Sequence, residues 1–308
     1  MTVDPLATTQ PLRCLLRPGV FVTVYNDLRG ARALPLITRL AEHAAPGDLG
    51  VCIHDPPSDD DAALAREVKA RGLRLIYGWG VDPDAARTVR DAAANTRRRA
   101  RLALDRGAEA VELNGEAAWK APGLDAHARE MIQACRDGAP GLPVGWSYFD
   151  GPRTHPMPAS REVFGATGVD YSAPQVYAGD PSTPEPEGHR AAMARWDRAV
   201  AQHEWAVARG LMRADLVPGR EGVAVYAQCH SCTPAAVAWL LDRSRVSRVW
   251  ALPTRCDEAG LLGVSALLIA RRERGTEPGA IARWQTAHGL TADGVAGRVT
   301  LGAMGLAP

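Results

Sequence analysis

The stretch A-V-E-L-N-G-E at 110–116 sets three polar side chains, Glu112, Asn114 and Glu116, at every second position. Alternate side chains of a β-strand face the same way, so the three share one face. Polar groups on a buried face cost free energy unless they find partners. Two arrangements meet that demand. One is a hydrogen-bonded polar plug; the other is a carboxylic acid, Glu116, at the strand's end, held and tuned by Asn114 and Glu112. Partial burial beside a second carboxylate would make Glu116 keep its proton, as a general acid must. Asp55, Asp82, Asp150 and Asp257 also follow apolar runs, and any of them could supply the second group of a two-carboxylate mechanism. Trp79, Trp146, Tyr148, Tyr171, Tyr177 and Trp250 fall on the same runs; flat rings are surfaces on which sugars stack, and the alternative for some of them, Tyr171 above all, is a place in the core. Cys229-His230-Ser231-Cys232, with Cys256 and either His230 or His54, could hold zinc, close a disulfide or remain thiols. The second tight pair usual in zinc sites is absent from the sequence, so no metal and no cofactor is expected.

These residues need a scaffold. Eight β-rich runs recur along the chain: 20–25, 49–54, 73–79, 110–114, 143–149, 169–177, 223–228 and 248–252. Helical patterns separate them, as in a parallel sheet buried on both faces. Three helices close on R-G, at 71–72, 106–107 and 209–210, which suits a left-handed glycine cap. Thr233-Pro234 reads as a helix start. A doubly wound sheet would carry a Gly-rich turn after its first strand, where this chain has Asn26-Asp27-Leu28. The expected fold is therefore α/β, a (β/α)₈ TIM barrel over residues 12–274, with its site at the C-terminal ends of the strands.

The chain has 308 residues, 46% hydrophobic and 23% charged, and a net charge of +1 from 36 basic and 35 acidic side chains. That balance argues against a nucleic-acid partner, and the basic run at 97–101 reads as a solvated helix face. No apolar stretch reaches the roughly 18 residues of a membrane span, so no membrane insertion is expected. The start, M-T-V-D-P-L-A-T-T-Q-P, lacks a basic region followed by an apolar core, so no signal peptide is expected.

The E-x-N-x-E of the fourth run resembles the D-x-D-x-E of family 18 glycoside hydrolases, the chitinase-like barrels, whose final glutamate protonates the glycosidic oxygen. Ile76-Tyr77-Gly78-Trp79-Gly80 is similar to that family's Gly-rich third strand, Gln175-Val176-Tyr177 to its Q-x-Y, and Trp250 to its subsite tryptophan. The resemblance implies Glu116, Asn114, Glu112 and Tyr177 as catalytic residues, with Gln175 and Trp250 contacting substrate. Trp79, Trp146, Tyr148 and Asp150 complete the expected substrate contacts. Asn114 departs from the family's aspartate.

After Arg274 the pattern breaks at Gly275–Gly279, and residues 277–308 resemble a small helical peptidoglycan-binding motif. Trp284-Gln285, Gly289-Leu290, Asp293-Gly294, Gly297 and Thr300 carry that likeness, with Trp284, Gln285, Asp293 and Gly294 implied as wall-binding. The motif's usual first helix is missing, and the barrel helix at 260–272 can substitute for it. Together the two resemblances imply an endolysin- or autolysin-like glycosidase whose partner is peptidoglycan or a related N-acetylated glycan. It would reach the bacterial wall by lysis, a holin or a dedicated secretion route. A non-catalytic carbohydrate-binding barrel is the first alternative and a metal-dependent amidase or deacetylase the second.

Overall fold

The computed structural model describes residues 17–25, 33–54, 59–81, 89–115, 124–149, 163–165, 168–176, 189–217, 224–227, 233–244, 246–250 and 258–306. Eight strands pair in chain order and in parallel, and the eighth closes on the first. They are β1 (Gly19–Tyr25), β2 (Leu49–His54), β3 (Arg74–Gly80), β4 (Ala110–Asn114), β5 (Val144–Phe149), β6 (Tyr171–Gln175), β7 (Ala224–Ala227) and β8 (Val246–Trp250). Around them lie α1 (Ala33–Ala41), α2 (Asp59–Ala70), α3 (Val89–Asp105), α4 (Asp125–Gly138), α5 (His189–Val207), α6 (Pro234–Leu241) and α7 (Glu258–Arg274). Two short helices follow, α8 (Ala280–Ala287) and α9 (Arg298–Ala303). The fold is α/β, with a parallel curled sheet wrapped in helices.

Helix ends follow the local chemistry. Gly72, Gly107 and Gly210 all take positive φ, which a residue with a Cβ adopts only under strain. At each, the next amide reaches back to the helix: Leu73 to Val68 O, Ala108 to Ala103 O and Leu211 to Ala206 O. Thr233 accepts from the Ala236 amide and Pro234 begins α6.

Strand alternation divides the core in two. Phe21, Cys52, Ile76, Ala110, Tyr171, Ala173 and Val246 fill the barrel's interior. Their neighbours Val51, Ile53, Leu75, Tyr77, Val111, Leu113 and Val144 face outward and pack on the helices. The interior is plugged at the N-terminal end of the strands by Arg74. Its Nη1 donates to Pro18 O at 2.6 Å, its Nη2 to Arg17 O at 2.8 Å and its Nε to Glu109 at 2.8 Å. The guanidinium also lies 4.6 Å from the Phe21 ring centroid.

The C-terminal helices dock at this same plugged end. Asp242 accepts from the Ala280 amide at 3.0 Å and the Ile281 amide at 3.2 Å, capping the start of α8. Arg271, fully buried, donates to Ser244 O at 2.6 Å, two residues before β8, and lies 3.9 Å from Asp48, the residue before β2. Ala280, Ile281, Trp284, Ala296 and Leu301 share a core cluster with α6 and α7. The barrel's last helix, α7, is thus a packing partner of α8.

Candidate active site

The site is built on β4. Glu112 is 1% exposed and Asn114 partly exposed, both on the interior face. Asn114 pairs in register with Gly80 on β3 and Ser147 on β5. From β6, Gln175 donates from Nε2 to Asn114 Oδ1 at 3.2 Å and to Ser147 Oγ at 3.2 Å. One amide thus ties β4, β5 and β6 together near the mouth. A side chain at Gly80 would meet nothing within 4 Å, so the β3 side of Asn114 is open among the described residues.

Below this level the interior tightens. A Cβ at Gly145 would lie 2.1 Å from the Tyr171 ring, so the aromatic occupies the space glycine leaves. The Tyr171 hydroxyl donates to Val111 O at 3.3 Å. This places Tyr171 inside the barrel rather than on a sugar-binding rim. His54, 4% exposed, ends β2 level with Gly78 and, beyond it, Glu112. A Cβ at Gly78 would lie 3.0 Å from His54 Cδ2.

Trp79, Trp146 and Tyr148, expected at the mouth, lie elsewhere. They are 1%, 0% and 2% exposed and belong to the cluster between barrel and helices. Strand parity is the reason: on β3 and β5 the interior positions fall to Gly78, Gly80, Gly145 and Ser147, which turns the large rings outward. Trp146 Nε1 donates to Gly115 O at 3.4 Å. The Tyr148 hydroxyl bonds His203 Nε2 on α5, and the His203 Nδ1–H bonds Ala199 O at 2.6 Å. That pairing fixes a neutral His203, whose pKa burial lowers to about 4. Burial also pushes the Tyr148 phenol up. The residue that sequence reasoning left out of the site is Ser147, and His54 entered it only as a possible zinc ligand. The small-residue alternation G-W-S-Y on β5 was the signal for Ser147.

Glu116, Tyr177, Asp150, the further aspartates Asp55, Asp82 and Asp257, and Cys229, His230, Cys232 and Cys256 lie outside the described residues. Trp250 ends β8, in register with Thr23. Among the described residues no group of three His, Cys, Asp or Glu side chains could hold a metal ion. The basic run on α3 is a solvated face, with Arg97 paired to Asp137 and Arg101 to Asp105. No described helix is long and apolar enough to cross a membrane.

In the tail, Trp284 and Gln285, expected to touch the wall, are 2% and 1% exposed. Gln285 donates to Asp293 at 2.7 Å, Val295 O at 3.0 Å and Thr300 at 3.0 Å, and accepts from the Gly294 amide at 2.8 Å. Asp293, exposed, also receives the Val295 amide at 2.9 Å. These residues hold the α8–α9 turn together; Trp284 stacks on His288 with centroids 3.8 Å apart.

GH5_18 from Streptomyces cattleya, solved with Manb1-4GlcNAc, is 16% identical with a TM-score of 0.54, covering 94% of this chain and 93% of that one. A class V chitinase from Pseudomonas fluorescens Pf-5 is 11% identical with a TM-score of 0.55, covering 82% of this chain and 99% of that one. A chitinase from Bacteroides thetaiotaomicron is 8% identical with a TM-score of 0.56, covering 84% and 97%. The likeness is one of fold. No family model matches the chain. No curated protein matches it in sequence.

Proposed function

We propose that the chain is a glycoside hydrolase directed at the bacterial cell wall, cleaving the glycan of peptidoglycan or a related N-acetylated polysaccharide. The observation that carries this reading is the polar ladder inside the barrel. Glu112 and Asn114 rise along β4 toward the mouth, and Gln175 and Ser147 hold Asn114 from the neighbouring strands. Buried polar groups arranged this way are costly unless they serve a ligand or one another, and Glu116 follows two residues on in the sequence. Glu116 is the proposed acid and Tyr177, Gln175 and Trp250 the proposed substrate contacts. Barrels of this shape in the solved neighbours include chitinases and a GH5_18 protein crystallised with a β-linked disaccharide. The C-terminal helices are the proposed wall-binding element, through exposed Thr291, Ala292, Asp293, Arg298 and Val299 rather than the buried Trp284 and Gln285. Turbidity loss of a purified cell-wall suspension tests the proposal; a folded protein that releases no glycan fragments refutes it.

A second reading is favoured by Asn114 itself. An amide cannot give or take a proton, so a barrel that binds glycan without cutting it would also keep this ladder. Pelleting with insoluble peptidoglycan and no cleavage would decide for it.

A further inference from the structure

We propose that the edge of the mouth between β3 and β4 is a subsite for a neutral carbonyl oxygen of the ligand. The Asn114 amide is its hydrogen-bond donor and the place of the missing Gly80 side chain is the space it enters. On the glycosidase reading, on which this part rests, that oxygen is the acetamido carbonyl of an N-acetylated sugar.

The donor follows from the direction of one bond. Gln175 Nε2 donates to Asn114 Oδ1 and to Ser147 Oγ, both at 3.2 Å, from buried positions on β6 and β5. A side-chain amide is planar, and its nitrogen leaves the carbon on the side away from the oxygen. With Oδ1 turned toward β5 and β6, Nδ2 is turned toward β3 and the lumen. A reversed amide would present oxygen there, which attracts N–H groups and repels carbonyls. The backbone holds the level in place on both sides: the Val81 amide donates to Asn114 O and the Gly115 amide to Ser147 O, each at 3.0 Å.

The space follows from the two glycines on the interior face of β3. The Gly78 level is filled: a Cβ there would lie 3.0 Å from His54 Cδ2 and 3.6 Å from Cys52 Sγ. Gly80 is two residues, about 7 Å, further along the strand. It is exposed, stands in register with Asn114, and a Cβ there would meet none of the described residues within 4 Å. The lumen therefore closes at Gly78 and opens at Gly80, beside Nδ2. The Gly80 backbone is ordinary strand, outside the positive-φ region that favours glycine. Neither conformation nor packing among the described residues calls for glycine at 80, so the missing side chain serves what enters the mouth. The donor there is uncharged. A carboxylate would give up its water for one neutral N–H, whereas a carbonyl exchanges one hydrogen bond for another of its kind.

Two measurements on the intact chain test the subsite. In ¹⁵N-edited NOESY spectra the Asn114 side-chain amide, assigned by the signals lost in Asn114→Asp, should show stronger contacts to Gly80 Hα than to Ser147 Hβ. The opposite pattern means a reversed amide and overturns the proposal. Affinity is read by surface plasmon resonance over immobilised protein, where flow replaces any oligomer that is cut. The probes are chitotetraose and cellotetraose, which carries a hydroxyl where chitotetraose carries the acetamido group. Chitotetraose should bind about tenfold more tightly or better. Gly80→Val should remove that advantage and leave the melting temperature unchanged. Equal affinity for the two oligomers, or an advantage that survives in folded Gly80→Val, overturns the proposal. A Gly80→Val chain that does not fold overturns it too, because the room claimed at 80 is then not there. No binding of either oligomer overturns the subsite whatever the wall assay returns. Chitotetraose bound in the expected way, with neither oligomer nor wall cleaved, overturns the hydrolase reading and supports the subsite.

Discussion

Gln175 on β6 donates to Asn114 Oδ1 on β4 at 3.2 Å, reaching past β5, and the same nitrogen donates to Ser147 Oγ at 3.2 Å. The carbonyl end of the Asn114 amide is therefore directed along the barrel wall. A carboxylate at 114 would accept the same bond with one oxygen and bring a second, proton-binding oxygen that the amide lacks.

Asn114→Asp consequently separates two mechanisms. If the barrel works by substrate assistance, the added carboxylate holds the acetamido group and cleavage of N-acetylglucosamine polymers rises. If two separate carboxylates do the work, the new charge makes Glu116 hold its proton more tightly and the pH optimum moves upward. Rate–pH profiles on chitin oligomers and on peptidoglycan distinguish the outcomes. No cleavage by either form selects the binding-protein reading.

Glu116→Gln keeps size and hydrogen bonding but removes the proton donor. Glycan cleavage should fall by about 10²–10⁴-fold with circular dichroism unchanged. Full activity in the folded variant would move the acid to another strand end, Asp150 first.

The tail should contribute to stability as well as to any wall binding. Trp284 is 2% exposed, in one cluster with α6 and α7, and its Nε1 donates to Glu273 at 2.8 Å. Trp284→Ala should cost about 3–5 kcal/mol in urea unfolding. Deleting 277–308 should lower the melting temperature of the barrel itself, because the faces of α6 and α7 that meet Ala280 and Ile281 become wet. A truncated barrel that melts at the full-length temperature would show that the tail adds nothing to the core.

Acid should weaken the α5 side of the barrel. His203 has a pKa lowered to about 4 from 6.5, chiefly by burial. Between those values the unfolded chain binds a proton that the folded chain refuses. Stability from this group is complete above pH 6.5 and declines as pH falls toward 4, by about 3 kcal/mol in all. Urea midpoints at pH 7 and pH 5 measure the decline, and the double change Tyr148→Phe with His203→Leu should flatten it.

Much of the fold was legible because local chemistry dictated it. The glycines after Arg71, Arg106 and Arg209 announced helix ends that the backbone adopts with positive φ. The alternation Glu112, Asn114 announced an interior face. The aromatics misled because size was weighed above parity. Trp146 and Tyr148 looked like a sugar platform, but Gly145 and Ser147 hold the interior positions of β5, and only one of two alternating sets can face the lumen. In the tail, Gln285 looked like a ligand-binding residue because the motif is recognised by it. Its four bonds within the turn show that a motif can be recognisable through the residues that fold it.

The capping of α8 by Asp242, a residue at the end of a barrel helix, bears on portability. An anchoring module that folds by itself can be cut from one enzyme and fused to another. Here the first turn of α8 finishes its hydrogen bonding on α6, and its apolar face is completed by α7. Grafted onto an unrelated carrier, residues 277–308 would arrive without either. The graft would have to begin within the barrel, at α6 or earlier, to carry its own fold with it.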